Sequence, residues 1–182
     1  MNLNDIKNIF NENTFSLCSI YDTFNYSYLQ RKYITTDTNV ILKASANNEI
    51  RHFIEKHNIV LPLPVLWELY YLMKKYPKKK PRIIKIINRK NITLMRKEIT
   101  ISDIETIDEK YRKIIENHIG KYYFTKKYSS WFQNAGKIST IDALILYFCL
   151  LKENQCKLAT LDSPLYNVAT QIDPIELIYL KK

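Results

Sequence analysis

Apolar positions recur at helical spacing twice near the start of the chain, at Leu3, Ile6, Ile9 and Phe10 and again at Leu17, Ile20, Tyr21, Phe24 and Tyr28. Two short helices are predicted there. A strand fits Lys32 to Thr36, a helix Asn47 to His57 and an extended segment Asn58 to Leu61. Pro64 then stands where a first helical residue would, ahead of VLWELYYLMKK. Downstream, the pattern predicts a basic amphipathic helix over Arg82 to Arg89 and a short strand over Ile92 to Met95. A polar helix over Ser102 to His118 and a strongly apolar helix over Ser139 to Glu153 follow. Lys157 to Leu161 reads as a strand, Ser163 to Ala169 as a short helix and Ile175 to Leu180 as a last strand. Strands alternating with helices imply an α/β chain with a parallel sheet covered on both faces.

At 182 residues the chain is the size of one domain, or of one domain with an appendage. The pattern divides it into an N-terminal helical extension, residues 1–31, and a domain spanning residues 32–182. Composition then removes whole classes of function. The chain has only 2 glycines, Gly120 and Gly136. A dinucleotide fingerprint, a phosphate-binding P-loop and a glycine-bracketed nucleophile elbow each need glycines far closer together. Cys18, Cys149 and Cys156 form no pair at zinc-ligand spacing, and His52, His57 and His118 include no HExxH. The N-terminus lacks a signal-peptide core, and the longest apolar run, Ala143 to Leu151, is too short to span a bilayer. A soluble cytoplasmic protein with no membrane partner is the expectation.

The formal charge of +10 is concentrated in one place. Leu69 to Lys97 carries 11 Lys or Arg residues and no acid, and the rest of the chain is near neutral. Lys78, Lys79, Lys80 and Arg82 form its densest part, beside Pro77 and Pro81. A second acid-free stretch, Asn117 to Ile141, interleaves Lys121, Lys126, Lys127 and Lys137 with Tyr122, Tyr123, Phe124, Tyr128, Trp131 and Phe132. Lysines for phosphates beside aromatic faces for bases make up a single-strand nucleic-acid surface. The same composition also fits a solvated lysine face over a tyrosine-rich core.

Four acids lie in apolar surroundings. Asp37 ends the first strand ahead of Val40, Ile41 and Leu42, and Glu68 shares a helix face with Val65 and Leu72. Asp142 opens the most apolar helix, and Asp162 follows the strand KLATL. An ionised carboxylate beside apolar packing is costly unless it is neutralised. A shared cation would neutralise all four. Oxygen donors without His or Cys select a hard ion, Mg²⁺ or Mn²⁺. Local roles compete with this reading, because Asp37 can cap a turn, Asp162 can cap the helix after it, and Ser139-Thr140-Ile141-Asp142 matches a capping box. Glu68, in mid-helix, caps nothing.

In this order the four acids resemble those of the PIN-domain nucleases, a family that includes the VapC-like ribonucleases. ITTDTNVIL resembles the family's first strand and first acid, Asp37, with Asn39 two residues on. LPVLWELYYL is similar to the helix that carries the second acid, Glu68. STIDALILYFCLLKENQCKLATLDSPLYNVA resembles the last two motifs, with Asp142, Thr160 and Asp162 at the family's spacing of about 20 residues. The resemblance covers residues 32–180. It implies a three-layer α/β/α domain with a mainly parallel sheet of four or five strands, binding Mg²⁺ or Mn²⁺ and hydrolysing RNA, often as a homodimer. Asp37, Glu68, Asp142 and Asp162 would hold the metal and carry catalysis, with Asn39 and Thr160 orienting them. Lys78, Lys79, Lys80, Arg82, Lys126 and Lys127 would hold the nucleic acid. An endoribonuclease is the leading expectation, with an antitoxin as a further partner if it is the toxin of a toxin and antitoxin pair. A catalytically idle RNA-binding scaffold and a structure-specific DNA nuclease stay open beside it.

Overall fold

The computed structural model describes residues 33–95, 98–120, 122–125, 130–133, 136–151, 154 and 156–180. The two helices expected before residue 31, together with Lys121, Lys126, Lys127 and Tyr128, lie outside the described residues. Five strands form one all-parallel sheet in the order β3-β2-β1-β6-β7. They are β1 (Ile34–Thr36), β2 (Ile59–Leu61), β3 (Ile92–Leu94), β6 (Lys157–Thr160) and β7 (Leu177–Tyr179). Helices flank this sheet in a three-layer α/β/α arrangement. β1 and β2 are buried throughout, as strands covered on both faces must be.

The chain runs outward from β1 to β2 and β3, then returns to the other side of β1 for β6 and β7. The direction of winding therefore reverses between β1 and β6. In open parallel sheets the connections diverge at such a point and leave a crevice beyond the C-terminal strand ends. That crevice positions the site described below.

Between β1 and β2 lie α1 (Thr38–Ala44) and α2 (Asn48–Lys56). The sequence pattern left α1 without an element, because its apolar run is too short to show helical periodicity. Asp37 starts it, its Oδ1 accepting from Val40 N at 2.9 Å. Asn47 caps α2 in the same way, its Oδ1 accepting from Ile50 N at 3.0 Å. α3 (Leu63–Lys75) follows β2, and Pro77–Lys79 makes a 3₁₀ turn into α4 (Lys80–Ile87). Pro81 sits in the first turn of α4, so this helix begins before the predicted Arg82.

The polar helix predicted over Ser102 to His118 is two helices, α5 (Ile101–Glu105) and α6 (Glu109–His118). Ile107 is buried between them, and Asp108 restarts the chain as a cap, accepting from Lys110 N at 2.8 Å. The aromatic segment contains an antiparallel pair separate from the main sheet, β4 (Tyr122–Thr125) and β5 (Ser130–Gln133). It joins the body where Gly120 N and Ile138 O pair at 2.9 Å. Gly136, at φ 74°, supplies the left-handed residue on the way out.

α7 (Thr140–Leu150) is apolar on nearly every side, and eight of its residues are buried. Such a helix belongs inside a domain. α8 (Ser163–Ala169) leads to β7, which begins at Leu177 rather than at the predicted Ile175 because Ile175 closes a turn onto Ile172 O. Among the described residues no helix is long and apolar enough to cross a membrane.

Candidate active site

Asp37 and Asp162 follow β1 and β6, neighbouring strands paired with Thr36 opposite Ala159. Both acids therefore stand at the C-terminal rim, on either side of the reversal. Thr160 links them. Its hydroxyl donates to Asp37 Oδ2 and accepts from Asp162 N at 2.9 Å. Asp37 is 1% exposed and spends both oxygens, one on Thr160 and one on Val40 N.

Glu68 projects from the second turn of α3, and its Oε2 accepts from the Thr38 hydroxyl at 2.6 Å. Thr38 directly follows Asp37, so one chain segment supplies both an acid and the hydroxyl that holds a second. The sequence reading passed over Thr38. A hydroxyl beside an acid at a strand end was the available signal.

Asp142 sits in the first turn of α7 in a full capping box. Its Oδ2 accepts from Ser139 N at 2.8 Å and from the Ser139 hydroxyl at 2.7 Å, while Asp142 N donates to Ser139 Oγ at 3.0 Å. Asp162 caps α8, its Oδ1 accepting from Leu165 N at 3.0 Å. The local capping roles are thus real for Asp37, Asp142 and Asp162. They orient the carboxylates without consuming them. Glu68 Oε1, Asp142 Oδ1 and Asp162 Oδ2 make no hydrogen bond among the described residues.

The four groups also act on one another electrostatically. Burial raises Asp37 from 3.8 to about 6, against the pull of its bonds to Thr160 and Val40, and the charges of Asp162 and Glu68 add to the rise. Asp142 is raised from 3.8 to about 6, again first by burial and then by Asp162 and Asp37. Burial and the charge of Asp142 raise Glu68 as well. Like charges within mutual reach in a poorly solvated crevice produce this pattern. As the side chains stand, no three such groups among the described residues close into a ready-made cation cage. Each is held instead by its own hydroxyl or amide. The donor set still fits a hard divalent ion, since it is all oxygen and negatively charged, and among the described residues no Lys or Arg shifts Asp37, Glu68 or Asp142.

The remaining predicted residues are placed differently. Asn39 is exposed on α1 and its side chain makes no hydrogen bond among the described residues, while the orienting bonds to Asp37 and Glu68 come from Thr160 and Thr38. Lys78, Lys79, Lys80 and Arg82 are exposed. The turn that carries Lys78 and Lys79 begins past Lys75, so it lies about 10 Å or more beyond Glu68 along the axis of α3. Lys79 Nζ stands 5.0 Å from the centre of the Tyr76 ring, so an aromatic face accompanies the lysines there.

A winding reversal in a parallel sheet, rimmed by acids from four separate elements, defines the class: an α/β domain with an acidic crevice suited to hard cations. The PIN-domain family model matches residues 34–171, and the chain belongs to that family. Domains of this family are generally nucleases and typically use divalent metal ions. No curated protein matches the chain.

Proposed function

We propose that the protein is a divalent-metal-dependent endoribonuclease. The observation that carries this reading is the electrostatic reach of Asp37, Glu68, Asp142 and Asp162 on their neighbours in this set, with Asp37 and Asp142 raised to about 6 first by burial and then by nearby carboxylates, Asp162 and Glu68 for the one and Asp162 and Asp37 for the other. Carboxylates gathered in this way are a liability without a cation. Glu68, Asp142 and Asp162, each with an oxygen that makes no hydrogen bond among the described residues, would hold Mg²⁺ or Mn²⁺ together with Asp37. Such an ion, when bound, lowers the pKa of water and offsets charge building on a phosphate.

The chain's own residues set up that chemistry. Thr160 fixes Asp37, Thr38 fixes Glu68 and Ser139 fixes Asp142, so three carboxylates are oriented in advance. The acids also repel a phosphate backbone until their charge is offset, which ties substrate approach to the divalent ion. The lysines of the 3₁₀ turn, beside the exposed Tyr71 and Tyr76, would draw a single strand to the domain by phosphate contact and stacking.

The test is cleavage of labelled RNA and DNA with Mg²⁺, with Mn²⁺ and with chelator. Cleavage of RNA that stops on chelation is expected. Cleavage of DNA alone would transfer the site to the other nucleic acid, and inactivity on both with either ion would overturn the enzyme.

A further inference from the structure

At the opposite end of α1 from Asp37 lies a cavity of about 400 Å³ that Asp37, Glu68, Asp142 and Asp162 do not line. Ser45, the C-terminal cap of α1, forms one wall, Arg51 and Glu55 of α2 another, and Arg82, Lys85 and Arg89 on and just after α4 the third. α1 is seven residues long, so the cavity stands about 10 Å from the acidic rim. Four cations face one acid.

That acid is already engaged. Glu55 Oε1 accepts from Arg89 Nη1 at 2.6 Å, and Oε2 lies 3.7 Å from His52 Nδ1. Arg51 spends only its Nε, on Ala44 O at 3.1 Å. Arg89 Nε is buried and makes no hydrogen bond among the described residues, so a guanidinium lining the cavity carries an unused donor. Arg82 and Lys85 are exposed and make no ion pair among the described residues. The walls hold no aromatic ring, and the other lining residue, Ile86, is aliphatic. The lining is therefore dominated by charge and offers no aromatic face to a base.

We propose that this cavity is a phosphate-binding site, distinct from the acidic crevice, in which Arg51, Arg82, Lys85 and Arg89 take phosphate groups. Guanidinium forks match phosphate oxygens in pairs, and several cations facing one acid favour a ligand with more than one phosphate. Two sources share this chemistry, a nucleic-acid backbone and a free polyphosphate compound.

The experiment is calorimetric titration of the full chain with inorganic tripolyphosphate, at low salt and in chelator, where the acidic crevice repels the probe. Binding is expected, weakened about tenfold in Arg82→Gln/Lys85→Gln, which removes two unpaired cations. Lys110→Gln/Lys113→Gln removes the same charge from α6 and should change affinity by about twofold or less. Glu55→Gln should tighten binding by about threefold, because it lifts the one opposing charge. Circular dichroism of each variant confirms the fold. Absence of binding by the natural chain, or an equal loss in the α6 variant, overturns the proposal. Displacement of tripolyphosphate by a short RNA assigns the site to a strand, and binding that RNA does not displace assigns it to a free compound. Neither result depends on cleavage, so the site stands or falls apart from the nuclease reading.

Discussion

The hydroxyl of Thr160 on β6 donates to Asp37 Oδ2 at the end of β1, joining residues 123 positions apart in the chain. Its oxygen also receives Asp162 N, so one buried side chain sets the position of two acids. Thr160→Val should leave Asp37 buried with an unanswered oxygen, at a cost of about 1–3 kcal/mol, and should depress cleavage. Thr160→Ser should restore most of both. Equal activity in the Val and natural proteins, measured at saturating Mg²⁺, would remove Thr160 from the site.

Asp142→Asn keeps the capping oxygen and removes the charge. Divalent-dependent cleavage should be lost while the fold persists, and the metal-free melting temperature at pH 7 should rise because repulsion falls. If Asp142 served only as a cap, cleavage would survive and stability would drop by about 1 kcal/mol or less.

Stability of the metal-free protein should depend on pH in a specific direction. Asp37 and Asp142 titrate near 6 when folded and near 3.8 as free groups, so the folded state binds more protons between those values. Stability then falls as pH rises through that window. The penalty is complete above about pH 6 and relieved below about pH 4, at roughly 2–3 kcal/mol per group at most. Melting temperatures in chelator should be higher at pH 5 than at pH 7, and Mg²⁺ should narrow the gap. A pH-independent melting temperature would contradict the buried-carboxylate account.

Replacing Lys78, Lys79 and Lys80 together should weaken RNA binding across sequences and reduce the salt slope by about 2, at about 0.7 per phosphate contact on a single strand. Cleavage positions should stay put. Binding that ignores these charges would make the stretch a solvated face.

Gly136→Ala tests the exit from the β4–β5 pair. A Cβ there meets nothing within 4 Å, so the penalty is purely that of a positive φ, about 1 kcal/mol. Chemical denaturation reads it directly.

Much of this protein was legible along the chain. β2, β3, β6 and α8 follow from local apolar pattern and caps, and the four acids stood out because each interrupts an apolar neighbourhood, a cost that sequence alone exposes. Other features have no local signal. α1 is too short to show a period and forms because Asp37 caps it and the sheet buries Val40 and Ile41. The break at Ile107 is decided by burial of one side chain in the middle of a helical pattern. Thr38 and Thr160 matter through partners 30 and 123 residues away, which only the pairing of β1 with β6 and the packing of α3 supply. The basic cavity likewise exists because α1, α2 and α4 meet, bringing Arg51 to Arg82, Lys85 and Arg89. Residue type and spacing determined which groups could do chemistry here. The sheet order determined which of them share a solvent-poor space, because charge interactions and hydrogen bonds depend on distance through space and not along the chain.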